Sequence, residues 1–392
     1  MKTLIPFTLL MTAFELAYSQ SGLLDTTFNP PAGYAIISFI SGSATAYNYG
    51  KSIIIQPDGK FVFAGYSSSD GIVSKFSVAR FNDTISDTTF GTMGQVTTAI
   101  GTTNDFANSA AIQIDGRIVV AGSSSNGSNS DFAVVRYNTD GTLDATFSDN
   151  GKVTTPIGTG NDDGTSVAIQ KDGKIVVGGF SRVGSYYDFA VVRYNTDGSI
   201  DSTFSGNGKV TTAFDSYNDK GYSVAIQADG KIVLAGYTVN VSNDDIAVAR
   251  YNTDGSLDST FSGDGKVTTA VGSSIDHGWS VAIQEDQKIV VAGECYINST
   301  NDFAVVRYNS DGSLDATFDG DGKVTTPVGL GLDVGYSVAI QADDKIVVAG
   351  YSNVVSTANF AVVRYNSNGN LDTTFSGDGK VTTEVGKVVL LQ

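Results

Sequence analysis

Histidine, cysteine and tryptophan each occur once among the 392 residues of this chain. A single cysteine, Cys295, excludes an intramolecular disulfide framework, so stability has to come from burial and backbone pairing. A single histidine excludes a histidine-rich metal centre. There is no G-x-x-x-x-G-K-[ST] phosphate loop and no G-x-S-x-G nucleophile elbow. Positive charge is also scarce: 24 Lys and Arg face 41 Asp and Glu, a net charge of −17. Such a surface repels nucleic acid and anionic lipid, and neither is expected as a partner. Long apolar runs are lacking as well. The stretch from Leu4 to Phe14 is shorter than the roughly 20 residues of a membrane span. It follows Met1-Lys2-Thr3 and precedes Ala17-Tyr18-Ser19, the pattern of a secretory signal (residues 1–19) cleaved after Ser19. The expected mature protein, 20–392, is secreted or held at the cell surface, monomeric and without a membrane span.

What the chain has in abundance is repetition. Arg80, Arg136, Arg193, Arg250, Arg307 and Arg364 follow one another at a gap of 56 and then four gaps of 57. Each sits in a copy of one phrase, as in FAVVRYNTDGTLDATF at 132–147. Tandem copies of this length mean a solenoid, a propeller or an array. A residue present in every copy holds the repeat together; one present once is a better candidate for function.

Each copy reads as four short strands rich in Val, Ile, Thr and Tyr, in the order KVTTPI, SVAIQ, KIVVGGF and FAVVRYN over 152–195. No sustained 3.6-residue period predicts a helix. An Asp-Gly pair between the second and third of these runs predicts a tight hairpin. Asp286-Gln287 and Asp343-Asp344 stand there in the fifth and sixth copies, so those hairpins must relax or accept strain. FAVVRY is apolar on both faces, and radial packing of like sheets covers both. The expected fold is therefore an all-β, six-bladed propeller of four-stranded antiparallel blades, about 57 residues per repeat, over 20–392. A seventh Thr-Phe element at Phe28, and an insertion with Pro30-Pro31, leave two segments to complete the first blade: Gly33–Ile40, or KVTTEV at 380–385. The second matches the consensus and is expected to fasten the two chain ends together.

The phrases DFAVVRYNTDGSLDSTFSGDGKV and SVAIQADGKIVVAGY resemble the delta-60 repeat of secreted bacterial proteins. The resemblance covers Leu24 to Val385 and rests on six long copies. It implies a β-propeller and carries no general activity with it. The first copy, RFNDTISDTTF at 80–90, departs most, being one residue shorter and lacking the Asp-Gly.

The repeated arginine stands among apolar neighbours and needs a partner. The Asp of each Leu-Asp phrase is the expected one: Arg136 with Asp144, Arg193 with Asp201, Arg250 with Asp258, Arg307 with Asp315 and Arg364 with Asp372, with Arg80 and Asp87 in the first copy. RYNTDGSLD at 250–258 also matches a D-x-N-x-D-G-x-x-D calcium loop except at position one, where Arg250 replaces the acid. No cofactor is expected, calcium being the one ion the pattern admits. A second recurring acid, at Asp105, Asp162, Asp219, Asp276 and Asp333, would either place a set of carboxylates around a cation or cap a turn.

The unrepeated residues gather in the fifth copy: His277 and Trp279, with Cys295 and Tyr296 nearby. Trp279 aligns with Tyr222 and Tyr336, and such a set is either a recognition surface or blade packing. A Cys295–His277 nucleophile lacks an orienting group. The variable loops SSSNGSN (123–129), SRVGSYY (181–187), TVNVSND (238–244) and ECYINST (294–300) fall at one end of the blades. The expectation is a binding module for an extracellular protein, peptide or glycan at Trp279, His277, Tyr222, Tyr336 and Tyr296. The alternatives are a polysaccharide-active enzyme using carboxylates and a structural surface or matrix protein.

Overall fold

The structure, a computed structural model, describes residues 46–384 except 84, 216, 242, 355 and 356. The expected signal segment, the Pro30-Pro31 insertion and 33–40 lie outside the described residues. The fold is the all-β, six-bladed propeller, with six antiparallel sheets. There is no helix among the described residues. The described residues fall into two compact units, the first ending at Thr211 and the second beginning at Thr212. Blade one spans 47–98, blade two 105–155, blade three 162–212, blade four 219–269, blade five 276–326 and blade six 333–383.

The strands inside a blade are grouped differently from the expectation. Lys152–Thr155 pairs with Ser130–Tyr137 before it, not with the strand that follows. KVTT is thus the fourth strand of its own blade, and the long TDGTLDATFSDNG link joins third to fourth strand. The fastening of the chain ends expected from 380–385 is not made by its described part: Lys380–Thr383 pairs with Thr357–Tyr365 of blade six. Blade one has its own fourth strand, Gln95–Thr98, against Lys75–Asn82. The small extra strand Ile85–Ser86 marks the deviant first copy.

The turns follow from their residues. Gly59, Gly116, Gly173 and Gly230 close the first hairpins with φ between 83° and 86°. Gln287 and Asp344 hold the same left-handed conformation, φ 68° and 61°, and accept the strain, about 1 kcal/mol each.

The core lies between blades. Successive residues of a strand face opposite sides. In the second unit, Val291, Val306 and Tyr308 of blade five join Val233, Ile246, Val248 and Phe261 of blade four. Their neighbours Val290, Ala292, Phe303 and Val305 join Ile346, Val348, Ala361 and Val363 of blade six. The first unit repeats this between blades one and two and between two and three. Each fully buried Val or Phe contributes about 1.5–3 kcal/mol.

The arginine uses the same alternation. Its Nε donates to the Asp of the Leu-Asp phrase at 2.7–2.8 Å in all six blades. Its guanidinium lies over the Phe three residues beyond that Asp, 4.6–4.8 Å from the ring centre. Within each unit it also reaches the following blade: Arg80 Nη1 donates to the Thr139 carbonyl, Arg250 Nη1 to Ser310 and Arg307 Nη1 to Ser367, each at 2.5 Å. The adjoining tyrosine points back the other way. Tyr308 and Tyr365 donate at 2.7 Å to Thr269 and Thr326 of the preceding blades. One Arg-Tyr pair therefore ties a blade to both neighbours within its unit. Burial alone would raise the Asp258 pKa; Thr260, Lys231 and Arg250 outweigh it and hold the carboxyl at about 2.

Candidate functional site

The first strand of every blade carries a β-bulge at the same place. In blade five Gly278 pairs with Gly293 and Ser280 with Ala292, so Trp279 between them is the extra residue. The same shift falls at Lys51, Asn108, Thr165, Tyr222 and Tyr336 in the other blades. A bulge re-aims one side chain and disturbs the pairing locally. Here it falls on a position that changes from copy to copy, inside an almost constant Gly-x-Ser frame. The serine that follows fixes the frame: Ser223 accepts the Val281 N–H and Ser280 the Val338 N–H, both at 3.1 Å.

The two units use these bulges differently. In the first, Asn108 donates to the Gly164 carbonyl at 2.8 Å and Thr165 to the Gly178 carbonyl at 3.1 Å. In the second, all three bulge residues are aromatic and half-buried. Tyr222 meets Trp279 edge-on, centroids 4.5 Å apart and planes at 69°. Trp279 meets Tyr336 at 5.8 Å and 56°. Tyr237 and Tyr351, from the second strands, extend the cluster by stacking on Tyr222 and packing against Tyr336.

Glu294 ties this cluster together. It is 7% exposed. Its Oε1 accepts from Trp279 Nε1 at 3.1 Å and lies 3.3 Å from His277 Nδ1, while Oε2 accepts from Asn301 Nδ2 at 2.5 Å. The other ring nitrogen of His277, Nε2, is 2.8 Å from Asp244 Oδ2 of blade four. The imidazole also stacks on Tyr237 at 4.1 Å. Burial would lower the His277 pKa, but the bonds and charges of Glu294 and Asp244 outweigh it and raise it above the usual histidine value. A raised folded-state pKa stabilises the fold fully below about pH 6.5, and that contribution is lost as pH rises through the folded value. His277→Gln should therefore cost about 1–2 kcal/mol near pH 6 and much less near pH 9, read from thermal melts across that range. A deficit independent of pH would show that His277 acts by packing alone.

The other expected site residues take the following places. Asp105, Asp162, Asp219, Asp276 and Asp333 are fully buried. Each accepts backbone N–H groups of the link into its blade, as Asp276 does from Val271 at 2.7 Å and Gly272 at 2.8 Å. Each of these carboxylates is thus enclosed at a turn of its own blade. In the 250–258 loop, Asp254 accepts from the Ser256 N–H and hydroxyl, and Asp258 is engaged by Arg250. Cys295 is fully buried, and burial, helped by Asp276, Asp302 and Glu294, pushes its thiol up to about 12. Such a thiol is no nucleophile at neutral pH. Tyr296 is held through its backbone, its N–H donating to Ile275 and its carbonyl accepting from Ser273.

Sequence reasoning missed Glu294, Asp244, Tyr237, Asn301 and Tyr351. One signal was available: Tyr66, Ser123, Phe180, Tyr237 and Tyr351 occupy the position of Glu294 in the other copies, so an acid there is the exception. A pocket of about 480 Å³ lies elsewhere, lined by Gln227, Lys231, Arg250, Gln287, Ser310 and Asp311 among others. It sits among the repeated arginine contacts, away from the aromatic cluster; Gln227 and Arg250 recur in every copy, whereas Arg117 replaces Lys231 in one copy, threonine replaces Ser310 in three and Asn368 replaces Asp311 in the last.

A family model described as a domain of unknown function (DUF5122), beta-propeller, matches residues 56–83, 113–147, 170–204, 227–261, 284–318 and 341–375, together just over half of the chain. No curated protein matches it. Among solved structures, the chain is similar to the periplasmic gluconolactonase of Pseudomonas aeruginosa, at 15% identity and a TM-score of 0.53 over 86% of each chain. It is also similar to a protein of unknown function from Dyadobacter fermentans, at 11% identity and a TM-score of 0.48 over 80% of this chain and 93% of that one. An ulvan lyase of polysaccharide lyase family PL25 shares 12% identity and a TM-score of 0.49 over 84% of this chain and 81% of the other. At 15% identity the likeness to the gluconolactonase is one of fold alone.

Proposed function

We propose, for a chain that belongs to the DUF5122 beta-propeller family, that it is a non-catalytic binding module whose recognition surface is the run Tyr222–Trp279–Tyr336. The observation that carries this reading is the bulge. One device, present in every blade, presents Lys, Asn, Thr, Tyr, Trp and Tyr in turn, and in blades four to six its three aromatic rings are in contact. Aromatic side chains bring large contact area at low entropic cost, which suits them to recognition. The finer resemblance to delta-60 repeats of secreted bacterial proteins belongs to this reading. So do the extracellular or cell-surface location, the monomeric state and an extracellular partner. Binding is favoured over acid–base chemistry because Glu294 faces three donors and Asp244 is paired with His277, leaving neither poised to exchange a proton with a substrate.

The test uses glycan and peptide arrays probed with the wild type and with Trp279→Ala. Wild-type hits should weaken about 30-fold in the variant, the scale of a central aromatic anchor. Thermal melts establish that the variant folds. Hits that persist unchanged would move recognition to the variable loops, and blank arrays would favour a structural surface or matrix protein.

A further inference from the structure

We propose that the aromatic run receives an organic ammonium group, seated on the rings of Trp279 and Tyr336 beside the Glu294 carboxylate. This rests on the binding reading above and names the chemistry of its ligand.

Ring geometry comes first. Successive rings are inclined to one another by 69° and 56°, so Tyr222, Trp279 and Tyr336 do not share a plane. A sugar face stacks on a flat platform. Inclined rings offer negative π faces from several directions, which suits a compact cation.

Charge points the same way. Asp244 and Glu294 share a single basic group, His277, which leaves at least one negative charge over. The first and second strands of blades five and six, DHGWSVAI, IVVAGECYI, DVGYSVAI and IVVAGYSNV, carry no lysine or arginine. Blade four places Lys220 at the His277 position, two blades away from Tyr336. The uncompensated charge is felt at the outer rings. Burial pushes the Tyr336 phenol up to about 12, and the Glu294 charge adds to it. Tyr351 is raised by burial with Glu294 among the contributors.

The site also favours a cation of its own, the protonated form of His277. His277 lies against the Tyr237 ring at 4.1 Å, between two carboxylates. The surroundings that stabilise this imidazolium extend to the neighbouring rings. Quaternary ammonium groups and the primary ammonium of a lysine or peptide N-terminus share the required chemistry.

Trp279 is the only tryptophan in the chain, so its fluorescence reports this site alone. The full chain is titrated with choline, with n-butylammonium and with 3,3-dimethylbutan-1-ol, the uncharged isostere of choline. Choline or butylammonium should give a saturable change, and the alcohol should bind at least tenfold more weakly. Which amine binds tighter tells the quaternary source from the primary one. Glu294→Gln, which keeps the side-chain size, should weaken the preferred amine about tenfold, with calorimetry as the second readout and thermal melts to establish folding. Equal binding of alcohol and amine, or unchanged amine binding by Glu294→Gln, would overturn the ammonium assignment and leave the aromatic binding surface standing. No response to either amine would also overturn it. In that case array hits lost in Trp279→Ala would still support a binding module, and their absence would remove both readings.

Discussion

Arg250→Ala is expected to lower the stability of the protein by about 3 kcal/mol, measured by urea unfolding, the cost of stripping a buried ion pair of one partner. Four interactions end at that guanidinium. Nε meets Asp258 at 2.7 Å, Nη1 the Ser310 carbonyl at 2.5 Å, Nη2 the Thr260 hydroxyl at 3.2 Å, and the plane lies 4.7 Å over Phe261. The variant leaves Asp258, 3% exposed, without its main counter-ion. Lys231 remains 3.1 Å away, which keeps the cost at the lower end of the range for broken buried pairs. Arg250→Lys should recover part of the loss and not the forked contact with blade five. The effect depends on pH with a definite sign. The Asp258 pKa is depressed in the folded state, so its contribution is fully present above about pH 4 and is lost as pH falls through about 2. The gap between wild type and Arg250→Ala should narrow over that interval. A variant within about 0.5 kcal/mol of the wild type at pH 7 would show that packing alone joins the blades.

Gly293→Ala is expected to cost about 3 kcal/mol or more and to change the emission of Trp279. A Cβ at Gly293 would collide with the His277 carbonyl and lie 3.1 Å from the Gly278 Cα. Both obstacles are backbone on the facing strand, and neither can swing aside. Relief requires the first strand to move off at its bulge, which is the element that positions Trp279. The Glu294 side chain is untouched by this substitution, so any change in emission comes from the strand and not from loss of the acid. The emission spectrum and the melting temperature should shift together. A stable variant with unaltered emission would mean that the bulge tolerates a side chain opposite it and does not set the ring's position.

Much of this architecture was legible because repetition averages out local ambiguity. Six copies of the arginine phrase fix the blade number, and the acid seven or eight residues beyond each arginine, in the same phrase, is its partner. The phase of the repeat was not legible. A periodic sequence shows how long a unit is but not where it begins, so KVTT could be read as opening one blade or closing the one before. Hydrogen bonding decides this, and it places Lys152–Thr155 with the preceding strand. The bulge was hidden for a related reason. Every copy carries the extra residue, so the 57-residue spacing is undisturbed. Alignment did set Trp279 beside Tyr222 and Tyr336, but their contact depends on how neighbouring first strands sit across the blade interface. Glu294 read as part of a variable loop. Its burial follows from its place in a strand opposite His277, which no local pattern announces.

Each blade takes all four of its strands from one uninterrupted stretch of chain, down to Lys380–Thr383 in blade six. This has a genetic consequence. Recombination between two copies of the repeat, at equivalent points in the links, inserts or removes one whole sheet with its bulge and its arginine, and splits none. The unit of sheet pairing and the unit of duplication coincide. A lineage can therefore change the number of presented side chains in single steps, and then diversify each by point mutation at one codon between a glycine and a serine.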